Sequence, residues 1–283
     1  MNSFKFLMGF LGWLVVPLTL QAAGLNDISA VPHLDQKGRE GYREFLLAPM
    51  HRAFAVAPGG AWSWKAEEAS PDLAGEAALQ GCAEHTEQEC VLYAQDNQVV
   101  FESKTWPKLW GPYKTGAEAA RAATGKHRGE RFHDLAITSP AGKPLKLSDL
   151  HGKVVLLHFW GTWCSPCRQE MPELQKLSRE LASSRDIQLV LLQMREDIDT
   201  ARFWAENQHI SLPLYDSGIK DAGSDSLPLA NGKRIRDREL AMVFPTTYVL
   251  DKHGVVLFSH SGPVFGWNQY LPLLRDAAAR SGK

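Results

Sequence analysis

The sequence has little cysteine, no excess charge of one sign and no internal repeat. Its 283 residues include only four cysteines, too few for a disulfide scaffold, so the core must come from apolar burial. Lys and Arg number 31 against 32 Asp and Glu, and a net charge of −1 gives no electrostatic basis for binding nucleic acid. Hydrophobic residues make up 44% and charged residues 22%, which excludes a disordered chain and a multi-span membrane protein.

The one marked hydrophobic segment lies at the N-terminus. Lys5 precedes an apolar run over residues 6–20, and small residues follow at 22–24. The run is about 15 residues long, shorter than the roughly 20 that a membrane span needs. The pattern predicts a signal peptide over residues 1–24 and therefore a mature protein in the periplasm. An uncleaved N-terminal anchor that faces the periplasm is the alternative, and the cleavage position stays open.

A polar, glycine-containing stretch at residues 125–130 is predicted to separate two domains. The first, residues 25–125, is predicted to be a small α+β domain, and its function stays open. The second comprises residues 131–283. Hydrophobic patterning and turn residues predict one helix in the first domain, at 70–81. They also predict four strands, at 54–56, 62–64, 91–93 and 99–101.

Cys82 and Cys90 fall at the end of the predicted helix and at the start of the next strand. A disulfide between them would close a short loop and fasten the helix to the sheet, as an inert structural bridge of an exported domain. A zinc site is the alternative, but it would need two more ligands, and only His85 is near.

The second half has the pattern of a mixed α/β sheet with helices on both faces. Residues 154–159 form a continuous apolar run, as expected of a strand that is covered on both sides. The other predicted elements are a hairpin (135–138 and 144–147), a helix after residue 164, a strand (188–193), a helix (199–207), two antiparallel strands (246–250 and 255–260) and a final helix (268–280). Residues 215–240 are predicted to be a long connection, which either borders the site described next or is a surface insertion.

Cys164 and Cys167 stand where the buried strand ends and the following helix begins. Two cysteines three positions apart across a first helical turn can reach disulfide geometry. The helix N-terminus favours a thiolate at Cys164, and the thiolate is the nucleophile of disulfide exchange. Cys167 can then resolve the mixed disulfide. Pro166 fits because the first helical turn has no intrahelical partner for the N–H that proline lacks.

Other uses of this cysteine pair are less well supported by the residues around it. A c-type haem site would need histidine at the position of Arg168, and a zinc site would need a second pair with suitable spacing. The cysteines could instead bind Cu(I) in a copper-binding or copper-delivery protein, with Met194 or His158 as a third ligand. His158 is otherwise predicted to be a packed or hydrogen-bonded core histidine.

Two separated motifs carry a resemblance to a known family. The motifs lie at residues 152–172, which include Trp160-Gly-Thr-Trp-Cys-Ser-Pro-Cys167, and at 243–251. They resemble the thioredoxin-fold family, most closely its exported TlpA/ResA-like branch, and the resemblance covers roughly residues 131–283. It implies a thioredoxin-like fold, a redox-active Cys164–Cys167 dithiol and no cofactor.

The resemblance also implies supporting residues around the dithiol. Pro245 matches the family's cis proline that faces the cysteines, and the backbone of Phe244 would lie against a bound substrate strand. Trp163 belongs to the cysteine motif itself. Glu170 matches a helical glutamate that is linked to tuning of the thiols, and a solvated helix carboxylate is the alternative. Pro172 matches a proline that kinks the same helix.

The function that the resemblance implies is a periplasmic thiol–disulfide oxidoreductase, a reductase rather than an oxidase. It would reduce disulfides in exported proteins, with apocytochrome c as one candidate substrate, and would be reduced again by a membrane electron donor. A peroxidase of the same fold is disfavoured, because Gly161 and Leu157 stand where it has Thr/Ser and Pro. The redox direction, the substrate and the oligomeric state stay open.

Overall fold

The structure is a computed structural model that describes residues 24–111, 113–264 and 266–282. The predicted signal peptide lies outside the described residues, apart from Gly24. Within the described ranges, no helix is both long enough and apolar enough to cross a membrane.

Helices and strands occur throughout the described ranges. The α-helices are α1 (Gln36–Leu47), α2 (Pro71–Ala83), α3 (Gly116–Arg121), α4 (Ser165–Leu181), α5 (Ile198–Asn207), α6 (Asp237–Leu240) and α7 (Leu271–Arg280). The strands are β1 (Ala53–Val56), β2 (Trp62–Lys65), β3 (Val91–Gln95), β4 (Gln98–Val99), β5 (Ala136–Thr138), β6 (Pro144–Lys146), β7 (Val154–Trp160), β8 (Ile187–Gln193), β9 (Leu214–Asp216), β10 (Ser226–Pro228), β11 (Arg234–Arg236), β12 (Thr246–Leu250) and β13 (Val256–Ser261). Short 3₁₀ helices occur at Ile28–Ala30, Trp106–Trp110, Leu147–Leu150 and Trp267–Tyr270.

The second half contains a seven-stranded mixed sheet in the order β13-β12-β7-β8-β9-β5-β6. Strand β7 pairs in parallel with β8 and antiparallel with β12, so it lies inside the sheet, and every one of its residues is buried. The predicted mixed α/β architecture is confirmed. The parallel β7–α4–β8 unit places the start of α4 at the end of a central strand, where ligands and catalytic groups of open α/β sheets gather.

Alternate residues of β7 serve the two faces of this sheet because side chains alternate along a strand. Val154, Leu156 and Trp160 belong to a core cluster with residues of α4, α5 and α7. Val155, Leu157 and Phe159 belong to a second cluster on the other face, with residues of α6 and of the Leu147–Leu150 3₁₀ helix. Helices therefore cover both faces, but the three longer ones share a face.

The first half contains a separate four-stranded sheet in the order β2-β1-β3-β4. Helix α2 begins as predicted: the Ser70 hydroxyl accepts a hydrogen bond from the backbone of Leu73, and Pro71 occupies the first turn. Alanines of β1 and α2 pack together with Cys82 in a small cluster, so the helix can approach the sheet closely. The strand predicted at 99–101 ends earlier, at Val99, because the backbone N–H groups of residues 100 and 101 both donate to the carbonyl of Tyr93.

Two parts of the chain differ from the prediction. Helix α1 was not predicted, although Asp35 caps it by accepting a hydrogen bond from the backbone of Gly38 at 2.7 Å. The long connection predicted at 215–240 is wrong in part, since it contains the hairpin β10–β11 and helix α6. Leu227, Ile235 and Leu240 from this segment are buried in the second core cluster. These elements have three or four residues, too few for a periodic pattern to reveal them.

The two halves of the chain share a hydrophobic core. One buried cluster contains Tyr42 and Phe54 of the first half together with Trp160, Trp267 and Tyr270 of the second. In sequence, the strands of the four-stranded sheet precede the predicted boundary at 125–130, and those of the seven-stranded sheet follow it. The division into two domains stays a prediction.

The turn between β1 and β2 approaches the second half closely at Gly60. This glycine has φ +86°, and a Cβ atom there would lie 2.7 Å from the carbonyl oxygen of His33 and 2.8 Å from the hydroxyl of Tyr270. Gly142 has a similar φ of +76° but no such neighbour within 4 Å, so it is a matched control.

We predict that Gly60→Ala destabilises the protein more than Gly142→Ala. The left-handed backbone alone costs about 1–2 kcal/mol at either position, and only Gly60 adds a clash with backbone. Urea unfolding of both variants measures the difference. Equal losses of unfolding free energy would contradict the close packing of this turn.

Candidate active site

Cys164 and Cys167 lie at the junction of β7 and α4, as the sequence predicts. They are joined by a disulfide, with an S–S distance of 2.09 Å and a Cα–Cα distance of 5.3 Å. Cys164 is the N-cap residue of α4, and its Sγ accepts a hydrogen bond from the backbone of Cys167 at 3.2 Å. The two cysteines differ in access, since Cys164 is 4% exposed and Cys167 is fully buried. Cys164 is therefore the sulfur that an incoming group can reach.

The helix start gives this pair its chemistry. The first backbone N–H groups of a helix have no intrahelical acceptor, and the helix dipole is positive at that end. On reduction, a negative charge on Cys164 Sγ would be stabilised by these N–H groups and by the dipole. Pro166 lies within the first turn of α4, where its missing N–H costs no helical hydrogen bond.

Exposed apolar residues flank the disulfide. Trp163 is 46% exposed, and its Nε1 donates to the carbonyl of Met194 at 2.8 Å, which holds the ring in place. Its ring meets Phe244 edge-on at 5.1 Å between centroids, and the Phe244–Pro245 peptide bond is cis. Met242 is 73% exposed and Val243 54%; we call Trp163, Met242, Val243 and Phe244 the apolar rim. Neither Met242 nor Val243 was predicted from the sequence as a site residue.

An ion pair joins the 215–240 segment to this rim. Arg195, just after β8, binds Asp237 of α6 with two hydrogen bonds, Nε to Oδ2 at 2.5 Å and an Nη to Oδ1 at 3.0 Å. Asp237 is fully buried, and hydrogen bonding to it raises the pKa of Arg195. The Arg195 guanidinium also lies 5.3 Å from the centroid of the Phe244 ring. Of the two alternatives for this segment, the structure therefore favours the one in which it borders the site.

Behind the dithiol, Glu170 is completely buried, so it is not the solvated carboxylate of the alternative interpretation. Its Oε2 accepts hydrogen bonds from the backbone of Val264 at 2.8 Å and from Trp267 Nε1 at 3.4 Å. Its Oε1 lies 3.0 Å from His158 Nε2, at ion-pair distance but not aligned for a hydrogen bond. Glu170 follows Cys167 by three residues on α4, so both lie on one face of the helix.

His158 is buried and hydrogen-bonded, as predicted. Its Nδ1 lies 2.8 Å from the hydroxyl of Thr247, and its Nε2 faces Glu170. Nδ1 therefore has a hydrogen-bond partner, whereas Nε2 has only the Glu170 carboxylate at ion-pair distance. In the part of the chain that the structure describes, no group of three or more His, Cys, Asp or Glu side chains is arranged to hold a metal.

The second cysteine pair lies away from these residues. Cys82 at the end of α2 and Cys90 just before β3 form a disulfide with an S–S distance of 2.02 Å. Cys82 is fully buried among the alanines that join α2 to its sheet. The bond therefore links the helix to the strand that packs beneath it.

Glu196 is a further site residue that was not predicted from the sequence. Its carboxylate accepts hydrogen bonds from the backbone of Thr162, at 2.8 Å, and from the Thr162 hydroxyl. It thereby fixes the loop that precedes Cys164. Burial is the largest influence and raises the pKa of Glu196, although the hydrogen bonds from Thr162 lower it. No short motif in the sequence marks this long-range contact.

Comparisons with known proteins match the half that contains this site. A family model described as Redoxin matches residues 127–266. Thioredoxin-like protein YneN of Bacillus subtilis is 32% identical over 154 residues, which are 54% of this chain and 81% of that protein. Thiol-disulfide oxidoreductase ResA of Bacillus cereus is 30% identical over 131 residues, or 46% of this chain and 66% of ResA. A solved secreted thiol-disulfide isomerase from Corynebacterium glutamicum is 27% identical, with a TM-score of 0.39 over 50% of this chain and 84% of that one.

We predict that the stability of the protein relative to Glu196→Gln falls as the pH rises from about 4 to 7. A carboxyl whose pKa is raised by folding stabilises the folded state below its unfolded pKa, and that contribution is lost as the pH rises through the folded pKa. The amide of the variant does not titrate. The measurement is the difference in Tm between the two proteins across this range. Glu180→Gln, at an exposed position on α4, is the control. If the Tm difference between wild type and Glu196→Gln changes with pH no more than the difference for Glu180→Gln does, the prediction is contradicted.

Proposed function

The chain belongs to the thioredoxin-like family of thiol–disulfide oxidoreductases, and on that premise we propose that it reduces disulfides of exported proteins in the periplasm. The observation that carries this proposal is the Cys164–Cys167 pair at the N-terminus of α4, with one sulfur accessible beside an apolar rim. The periplasmic location rests on the signal-like residues 1–24, and an N-terminal anchor is the alternative. The reductase direction rests on the resemblance to the TlpA/ResA-like branch.

The reaction begins with the reduced dithiol. The Cys164 thiolate attacks one sulfur of the substrate disulfide, a mixed disulfide forms, and one substrate cysteine leaves as a thiolate. Cys167 then loses its proton and attacks Cys164 Sγ, which releases the second substrate cysteine and forms the Cys164–Cys167 disulfide. Two electrons pass to the substrate, and a membrane dithiol donor restores them.

The apolar rim supports recognition of an unfolded or flexible substrate segment. Trp163 and Phe244 present ring surface beside Cys164, and Met242 and Val243 extend this surface into solvent. The near-neutral net charge of the chain provides no general electrostatic attraction, so binding would depend on apolar and backbone contacts near the cysteine. Pro245 and the backbone of Phe244 would line the bound strand.

The buried pair Glu170 and His158 supports a role in tuning the thiols. A carboxylate in a low-dielectric interior acts strongly on a charge that forms one helical turn away. Glu170 is therefore proposed to influence the protonation of Cys167, with His158 and the Trp267 indole holding the carboxylate in place. His158, Glu170 and Trp267 are positioning residues in this scheme, since the reacting atoms are the sulfurs.

We predict that Cys164→Ser abolishes disulfide turnover, because Cys167, the thiol that remains of the pair, is fully buried and cannot reach a substrate disulfide. Reduction of insulin by dithiothreitol measures this, and the rate with the variant is expected to fall to that of dithiothreitol alone. Cys167→Ser is expected instead to accumulate mixed disulfides on Cys164 when it is expressed in the cell envelope. A Cys164→Ser protein as fast as wild type, or a Cys167→Ser protein that traps nothing, would contradict the mechanism.

The Cys82–Cys90 disulfide is proposed to be structural, within the predicted first domain over residues 25–125. We predict that replacing both cysteines by alanine lowers the unfolding free energy by about 2–3 kcal/mol, the loop-closure contribution expected for a loop this short. Insulin reduction should stay within twofold of wild type. Urea unfolding and the insulin assay test both statements, and loss of turnover in a folded variant would assign this pair a redox role.

A further inference from the structure

The first half of the chain lies outside the residues that match the Redoxin family model. It nevertheless contacts the segment before α7 that binds Glu170. We infer that the N-terminal region, residues 24–111, is an internal brace that fixes the Glu170 carboxylate behind the dithiol, with His33 as its positioning residue. The inference rests on the proposed function only in taking Cys164 and Cys167 as a redox pair. Residues 24–111 would then have a structural role in the redox site, whereas the sequence leaves their function open.

His33 is the centre of this contact. It is 4% exposed, and its backbone N–H donates to Gln269 Oε1 at 2.8 Å. Both ring nitrogens face backbone carbonyls: Nε2 lies 2.8 Å from the carbonyl of Gln269, and Nδ1 makes a short contact with that of Pro58. One side chain therefore joins the β1–β2 turn to the 3₁₀ helix Trp267–Tyr270.

Aromatic stacking and close packing strengthen the same contact. The His33 ring stacks on Tyr270 at 4.4 Å between centroids, and the Tyr270 hydroxyl donates to the His33 carbonyl at 3.3 Å. The ring edge also meets Trp106 at 5.4 Å. Gly60 leaves the room for this arrangement, because a side chain there would strike both partners. The contact is thus closely packed and hydrogen-bonded.

The 3₁₀ helix transmits this contact to Glu170. Trp267, two residues before Gln269, donates its indole N–H to Glu170 Oε2, and Val264 of the same segment donates its backbone N–H to that oxygen. Trp267 also packs edge-on against His158, at 6.5 Å between centroids, and in a tilted arrangement against Tyr270, at 5.4 Å. Both hydrogen-bond donors of the buried carboxylate therefore come from the segment that His33 holds.

The consequence for the dithiol is electrostatic. A carboxylate held in the interior opposes a thiolate nearby, because little solvent screens their repulsion. If Val264 and the 3₁₀ helix Trp267–Tyr270 loosen, Glu170 can move or hydrate, and the reduced form of the dithiol is stabilised relative to the disulfide. Loss of the brace should therefore make the protein a weaker reductant and allow Cys164 to react at lower pH.

The test compares two variants at this contact in the full-length protein. His33→Ala removes the ring, and the milder Gln269→Ala removes only the side-chain acceptor and keeps the stack on Tyr270. The readouts are the equilibrium constant of Cys164–Cys167 with glutathione and the pH profile of Cys164 alkylation by iodoacetamide, followed by mass spectrometry. We expect His33→Ala to lower the constant for disulfide formation at least threefold and to move alkylation to lower pH, with a smaller change in the same direction for Gln269→Ala.

Arg52→Met is the matched control. Arg52 is buried in the same region, where its guanidinium donates to the carbonyls of Phe45 and Leu46. None of its hydrogen bonds among the described residues goes to Val264 or to residues 266–270. It should lower the Tm while leaving the equilibrium constant and the alkylation profile at wild-type values.

Any of three results would overturn the brace hypothesis. His33→Ala could keep the wild-type equilibrium constant and alkylation profile, Arg52→Met could shift both as much as His33→Ala does, or His33→Ala could become a stronger reductant than wild type. The proposed function fails on a different result, a wild type that does not accelerate insulin reduction. The glutathione equilibrium does not depend on that turnover, so a shift in His33→Ala would support the brace even then.

Discussion

One buried carboxylate organises much of this molecule. Glu170 has no exposed surface, and burying an ionisable group without partners is costly. Its partners come from two places: His158 on the central strand, and Val264 and Trp267 on the segment before α7. Strand, cysteine helix and C-terminal segment must therefore keep their relative positions for the carboxylate to be satisfied, and the dithiol at the start of the same helix is held by the same constraint.

The two sides of the dithiol differ in character. Behind it lie a buried acid–base pair and aromatic packing that reaches into the N-terminal region. In front of it lies the apolar rim, supported by the Arg195–Asp237 ion pair and by Glu196, which holds the Thr162 loop. Such an arrangement leaves Cys164 accessible on one side only. The two sides are built from different residues on different segments of the chain.

Strong local patterns predicted the parts of the fold nearest to the chemistry. The apolar run of β7, followed at once by Cys164-Ser-Pro-Cys167, indicated a buried strand and a helix start, and both are present. The hairpin β10–β11 and helix α6 were missed because each has too few residues for periodicity. Helix α1 was missed because its cap, Asp35, is a weak signal by itself. Glu196 and Arg195 lacked any motif, since their partners lie 34 and 42 positions away.

The sequence by itself determined the cysteine spacing, the strand–helix junction and the match of Pro245 and Glu170 to a family pattern, because these depend on neighbours along the chain. It left Glu170 with two interpretations, solvated or tuning, and the first half with none. Only the tertiary structure decided that Glu170 is buried against His158 and Trp267, and that His33 reaches the segment that holds it. Burial and hydrogen-bond partners depend on residues far apart in sequence, and these meet only when the core closes.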